Sequence, residues 1–292
     1  MILLKVAKRN IVLFLLPCLA LFAFIYLFPT VIVFFTSFFN WQAGSSMTFA
    51  GISNYLSAFS DFSFLKSFEN TFIWAFLQSV IHVSIGTILA VILSRKRKGW
   101  KVFRSIFMIP NVISSAALGI IFLNLFSPQI GLVNSVIGAI LGKPFQWNWF
   151  FSDKTAFFTV TLTWLLYAGL ITIIMLAAIQ AVPEDVLEAA KIDGASQRQI
   201  DFMITLPLVR TSLGTCVIIA ATSMLREFDL IFLTTSGGPG ISTLNLPLYI
   251  YKTALNENNY GYANMMGVLL IVMGVAIVYV INKLFRMDET DI

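Results

Sequence analysis

"EAAKIDGASQRQIDFMITLP", residues 188–207, interrupts a chain otherwise written for hydrocarbon. Glu188, Lys191, Asp193, Arg198 and Asp201 fall inside it, with Glu184 and Asp185 just before and Arg210 just after. The local signals read as two helices about a tight turn. Pro183 suits a first helical turn, and Glu184 and Asp185 favour the positive end of the helix dipole. Gly194 suits a left-handed C-terminal cap. Ser196, with Gln199 three residues on, is a capping-box pattern for a second helix. That helix carries Ile200, Phe202, Met203 and Ile204, and Gln197 reads as an exposed position on it. It is expected to end near Leu206, because Pro207 disfavours helix in the residue before it. A plain linker has no use for two capped helices. A knob of this kind is shaped to enter a partner's groove.

The rest of the chain decides what carries the knob. Of its 292 residues, 58% are hydrophobic and 11% charged, and the mean hydropathy is +0.87. A soluble domain carries about a quarter charged residues, so this chain is a membrane protein. The net charge of +5 does not point to nucleic acid, because the cations cluster between apolar runs. Cys18 and Cys216 lie inside such runs and offer neither disulfide nor metal spacing. Leu15-Leu16-Pro17-Cys18 resembles a lipoprotein cleavage site, but the apolar run continues to Phe39. A secretory apolar region is about 7–15 residues long, so the run is expected to be an uncleaved first span.

A helix needs about 20 apolar residues to cross a bilayer. Six segments qualify: 11–38, 71–93, 105–126, 156–181, 208–234 and 263–285. They imply an all-α fold with a single transmembrane domain over 1–292 and a polar loop at 183–207. Alternate loops then differ in charge. One set holds Lys5, Lys8, Arg9, the six cations of 95–104, Lys191, Arg198, Arg210, Lys283 and Arg286. The other holds only Lys66, Lys143, Lys154 and Lys252. Cations mark the cytoplasmic side, so both termini and the knob are expected there. Trp41, Trp147, Trp149, Tyr260 and Tyr262 fall in the opposite loops, as interfacial aromatics do. Between them "GLVNSVIGAILG" at 131–142 is too short to span and is expected to lie along the outer surface.

The knob resembles the EAA loop of binding-protein-dependent ABC importer permeases, through Glu188, Ala189, Ala190, Asp193, Gly194, Ala195, Phe202, Ile204, Leu206 and Pro207. "FAGISNY" at 49–55, "NTFIWA" at 70–75, "RSIFMIPNVIS" at 104–114 and "FDLIFLTTSGGPG" at 228–240 resemble the carbohydrate-importer branch, which includes maltose and sugar-phosphate permeases. "LPLYIYKTAL" at 246–255 and "GYANMMGVLL" at 261–270 do so too. The resemblance implies a type I importer fold in the prokaryotic inner membrane. It implies a second homologous permease subunit, in a heterodimer, and two cytoplasmic ATPases that bind ATP and Mg. It also implies an extracytoplasmic substrate-binding protein. On that basis Glu188, Ala189, Ala190, Asp193, Gly194, Leu206 and Pro207 couple to the ATPase. Glu188 then meets a cation there, and Gly194 allows the turn. The chain lacks the large extracytoplasmic insert of some members, so no role for one carries over. No enzymatic activity and no cofactor of its own are expected.

Other residues are candidates for the path. Arg226, Glu227 and Asp229 interrupt the fifth span, where an ionisable group costs about 2.5–3.5 kcal/mol at the bilayer centre. They read either as path residues or as interfacial groups joined in a local ion pair. Asn124, Trp164 and Tyr167 offer an amide and aromatic faces, which suit sugar hydroxyls and rings; helix packing is the competing reading. His82, in mid-span, reads as a buried hydrogen-bonded residue. Pro29 and Pro110 are expected to kink their spans. "SGGPG" at 236–240 lacks the lysine and hydroxyl of a phosphate loop. The resemblance instead turns Gly237, Gly238 and Pro239 toward the binding protein. A permease for a non-sugar solute remains open. A secondary transporter would need coupling carboxylates near a span centre, and none is seen.

Overall fold

In a computed structural model, which describes residues 8–165 and 167–287, the chain is mostly helical, with a single two-residue strand pair among the described residues. Lys5 lies outside the described residues. The main helices are α1 (Val12–Thr36), α2 (Phe62–Ser94), α3 (Trp100–Val112), α4 (Ser115–Leu125) and α5 (Leu132–Leu141). They continue with α6 (Ala156–Leu165), α7 (Gly169–Gln180), α8 (Glu184–Ile192) and α9 (Gln197–Leu208). The last are α10 (Arg210–Met224), α11 (Asp229–Thr234) and α12 (Tyr260–Phe285). Among the described residues four stretches are long and apolar enough to cross a membrane, or six if each bent pair counts as one span. Contacts divide the chain into two compact units, one of residues up to Ser60 plus Ile250–Ile271, the other of Asp61–Tyr249 plus Val272–Ile292.

In the first unit α1 is strongly apolar, and its most apolar stretch has no buried residue, while Thr36 at its end is buried. Such a helix needs lipid or another protein around it. A two-residue hairpin pairs Phe39 with Phe49, and Asn54 Nδ2 ties it down through Ser37 O (2.9 Å) and Phe39 O (3.0 Å). Asn264 Nδ2 on α12 donates to Thr36 Oγ1 at 2.7 Å. Trp41 packs on Tyr260 with ring centres 5.0 Å apart. The π-turn of α1 spans Ala23–Leu27, closes with Phe28 N–H on Ala23 O, and absorbs the hydrogen bond that Pro29, the next residue, cannot make.

The second unit is built around α2 and α7. Its core includes Val83, Ala90, Leu93, Ile171, Met175, Ile179, Cys216 and Ala220. Lipid tails are as apolar as leucine, so association here depends on close packing, not on escape from water. Gly86 supplies it: a Cβ there would lie 2.7 Å from Ile171 Cβ. Trp74 adds a polar tie, stacking on Phe157 at 4.8 Å while its Nε1 donates to Thr161 Oγ1 at 2.8 Å. His82 is buried in a π-turn of α2 (Gln78–His82), its Nδ1 2.9 Å from Leu165 O, as a packed histidine should be.

Two expected spans are broken. The 105–126 segment is two helices, α3 and α4, which meet at 101°. The break is not at Pro110, which sits inside the last turn of α3, but at Ile113, where the backbone becomes extended. Ser114 causes it by capping α4, its Oγ accepting from Ala117 N at 3.2 Å. The 208–234 segment begins instead at Arg210 and is interrupted again between Met224 and Asp229. The second helix starts well before residue 71, at Phe62, with Asp61 as its cap.

Candidate coupling and translocation site

The knob is α8, a turn, and α9. Pro183 occupies the cap position before α8, not its first turn, with Glu184 and Asp185 following it. At the other end Gly194 takes φ +80°. Its N–H reaches Lys191 O, and Ala195 N–H reaches Ala190 O, each at 3.0 Å. These two bonds are a Schellman cap, which needs a left-handed residue at Gly194. Ser196 then opens α9 with a full capping box, its N–H donating to Gln199 Oε1 at 2.8 Å. The helix does not end at Leu206. A π-turn over Ile200–Thr205 sends Leu206 N–H to Asp201 O and carries the chain past Pro207. The bend comes at Val209, where α9 and the next helix differ in direction by 72°.

Burial sorts the expected coupling residues. Ala190 is buried and Leu206 half-buried; Glu188, Ala189, Asp193, Gly194 and Pro207 are exposed. So are Ile192 (85%), Phe202 (66%) and Met203 (71%). A polar loop that holds three large apolar side chains in the open has a surface built for contact.

Two partners of the knob were not visible in the pattern. Asp201 is buried and paired through Oδ2 with Arg95, which follows α2. Its Oδ1 accepts from Gln197 Nε2 at 2.9 Å, so Gln197 is exposed but not idle. From the sequence the run at 95–104 reads as a topology marker, and the complementary charges at 95 and 201 are 106 residues apart, too far for any spacing to pair them. A cavity of about 630 Å³ lies between this latch, α7 and α8, with Glu184 also on its wall.

The path candidates fall into two kinds. Trp164 is 7% exposed and set edge-on to Trp74, so it is a packing residue in this state. Asn124 is exposed on α4. Tyr167 is half-buried beside Phe122 of α4, ring centres 5.9 Å apart. α4 also meets α11, Gly119 facing Leu233 and Thr234. Asn124, Tyr167 and Asp229 therefore belong to neighbouring elements.

Arg226, Glu227 and Asp229 mark the break before α11, with Arg226 and Asp229 exposed and Glu227 half-buried. Among the described residues they form no ion pair, contrary to the expected local one. Glu227 works on the backbone instead. Its Oε1 accepts from Leu230 N (3.2 Å), and its carbonyl accepts from Asn245 Nδ2. A broken membrane helix leaves orphan backbone groups that must be satisfied locally. Asn70 does the same for the next loop, donating to Ser242 O and Leu244 O at 3.0 and 2.8 Å. Neither asparagine carried a recognisable spacing.

The 236–240 loop is a bonded turn. Gly237 is buried, Gly238 and Pro239 are half-buried, and the Gly238–Pro239 peptide is cis. Thr243 Oγ1 donates to Gly238 O (2.8 Å) and lies 2.7 Å from Thr235 Oγ1.

A capped knob beneath a bundle of broken membrane helices has a counterpart among known proteins. Residues 82–287 match the family of binding-protein-dependent transport system inner membrane components. The chain belongs to that family. Among curated relatives, a probable ABC transporter permease of Bacillus subtilis, YurN, is 31% identical over 284 residues, covering 96% of this chain and 97% of its own. MsmF of Streptococcus mutans, a permease of a multiple sugar-binding transport system, is 33% identical and covers 89% of each. In three dimensions the permease resembles a chain of the bacterial alginate ABC transporter, with a TM-score of 0.82, 23% identity, and 96% and 95% coverage. That likeness shows the fold, the all-α fold of type I importer permeases. The permease is thus a transport component of an ABC importer in the inner membrane, and not itself a catalyst.

Proposed function

We propose that this permease forms half of the translocation path for a carbohydrate and that the α8–α9 knob couples the path to a cytoplasmic ATPase. A second permease subunit, in a heterodimer, supplies the other half. An extracytoplasmic binding protein delivers the sugar to the side that bears Gly237, Gly238 and Pro239. Two ATPase subunits bind ATP and Mg, and this chain holds no cofactor. The observation that carries the reading is the knob: helix, left-handed glycine, capped helix, with Glu188, Ile192 and Phe202 exposed and Asp201 fastened inward. Glu188, Ala189, Ala190, Asp193, Gly194, Leu206 and Pro207 form the docking element. Closure of the ATPases moves it as a rigid body and switches the path between inward-facing and outward-facing states. The named cargo of MsmF supports a sugar. Asn124, Tyr167, Arg226 and Asp229 supply amide, phenol and charged groups for hydroxyls, while Trp164 and Glu227 hold the frame around them.

The cargo is tested in vesicles that contain the assembled importer. Binding protein loaded with an oligosaccharide is expected to stimulate ATP hydrolysis. Stimulation by an amino-acid-loaded receptor and by no glycan would replace the sugar reading with that of a non-sugar solute.

The cation bias supports a cytoplasmic position for both termini and the knob, and thiol labelling tests it. In a background with Cys18 and Cys216 replaced by serine, Lys98→Cys and Ser196→Cys are expected to be shielded from impermeant thiol reagents in intact cells. Gly238→Cys is expected to react. External labelling at position 196 would reverse the assignment.

A further inference from the structure

Residues 95–104, "RKRKGWKVFR", carry six cations, and no aspartate or glutamate occurs between Glu69 and Asp153. Among the described residues only Arg95 of the six pairs with a carboxylate. The turn that carries them folds back sharply, with Lys96 at φ 48° and Gly99 at φ 87°. Then α3 begins as an amphipathic helix. Val102, Phe103 and Ile106 are 62%, 57% and 53% exposed on its apolar side, and Lys101 and Arg104 lie on the other. An exposed apolar face beside lysine and arginine is the pattern of a helix at a membrane interface.

Between the turn and the two helices lies a groove of about 280 Å³. Leu89 and Ile92 of α2 and Phe103 and Phe107 of α3 form its walls, while Arg97 and Lys98 stand at its edge. No carboxylate lines it, whereas Glu184 and Asp201 line the adjoining cavity behind the knob. Trp100 also borders the groove, with the Arg104 guanidinium 6.0 Å from its ring centre. Tryptophan and arginine together mark headgroup depth. The cations alone would suit any anion, and the walls alone would suit any acyl chain. Both features in one groove are complementary to a molecule with an anionic head and an apolar tail.

We propose that this groove binds an anionic phospholipid, with its phosphate against Arg97 and Lys98 and an acyl chain along Leu89, Ile92, Phe103 and Phe107. Basic pockets among membrane helices hold anionic headgroups in this way. The inference rests on the membrane placement of α2 and α3 and not on the cargo, so it stands or falls separately from the sugar reading.

The test is native mass spectrometry of the purified importer, titrated with dioleoyl phosphatidylglycerol or dioleoyl phosphatidylcholine. The wild type is expected to retain phosphatidylglycerol in preference. Arg97→Gln/Lys98→Gln is expected to weaken that retention about tenfold or more, since each cation near a headgroup contributes severalfold. Phosphatidylcholine should be unaffected, and the Lys143→Gln/Lys154→Gln control should behave as wild type. Equal retention of both lipids by the wild type overturns the proposal. So does undiminished retention by the Arg97/Lys98 variant. Displacement of the lipid by millimolar inorganic phosphate would assign the cations to a free anion and overturn it as well.

Discussion

Gly194→Val and Glu188→Lys are expected to leave the permease in the membrane and abolish its transport. The two act by different routes. Gly194 holds φ +80°, and a Cβ there meets nothing within 4 Å. The cost is therefore backbone strain alone, about 1–2 kcal/mol for a residue with a side chain, and larger for a β-branched one. That strain falls on the Schellman cap, which fixes the angle between α8 and α9. A graded series follows: Asn, which tolerates the left-handed region, should retain most coupling; Ala should lose part, and Val nearly all. Glu188 is exposed and its side chain makes no ion pair among the described residues, so replacing it costs the permease's own fold little. Lost activity then reports on the partner. Removing one side of a buried charge pair at an interface costs about 2–5 kcal/mol, and reversing the charge adds repulsion. The measurements are substrate-stimulated ATP hydrolysis in vesicles and the amount of ATPase that co-purifies. Normal stimulation and retention in both variants would show that the knob is not the coupling element.

Asp201→Ala is expected to uncouple the importer without disturbing the exposed face of the knob. Asp201 lies in the π-turn and is 7% exposed, and its two oxygens are taken by Arg95 and Gln197. A hydrogen bond to a charged group contributes about 1.5–3 kcal/mol. The Arg95 side chain is 34% exposed, so solvent screening places this pair at the low end of that range. A loss of about 1.4 kcal/mol is tenfold in an equilibrium, and substrate-stimulated hydrolysis should fall by about that factor. The pair is the covalently distant link between α9 and the end of α2, and α2 packs on α7. On the proposed coupling, this pair carries force from the knob to the bundle alongside the chain itself. Arg95→Asp should be worse than Asp201→Ala, because two carboxylates would then face each other. Exchanging the residues, Arg95→Asp with Asp201→Arg, should recover a substantial part of the lost coupling. An exchange no better than either single variant, or full activity in Asp201→Ala, would mean that the latch transmits nothing.

The knob was the most legible part of the site because its instructions are local. A left-handed glycine, a capping box and carboxylates at a helix start are each satisfied by backbone groups within about four residues, and Gly194, Ser196 and Gln199 hold those geometries. Pro207 shows where a local rule fails. It forbids one hydrogen bond but not the helix, because a π-turn upstream absorbs the defect.

Broken spans were harder, since hydropathy reports where a segment lies and not its direction. The 105–126 and 208–234 segments have the composition of single spans, yet the first turns by 101° at Ile113–Ser114 and the second breaks at Leu225–Phe228. Arg226, Glu227 and Asp229 were legible as costly. That Glu227 serves as a backbone acceptor, with Asn245 below it, was not.

By itself the sequence determined the class of the molecule and the turn and capping box of the knob, because composition and caps act over a few residues. Only the tertiary structure decided that Asp201 answers to Arg95, that Trp164 packs against Trp74, and that Asn70 and Asn245 hold the loop at 242–244 and the break at Glu227. Each of these contacts joins residues separated by 18 to 174 positions. What pairs with a buried polar atom is set by which helices pack side by side, and a helix carries no mark of its neighbour until both are in place.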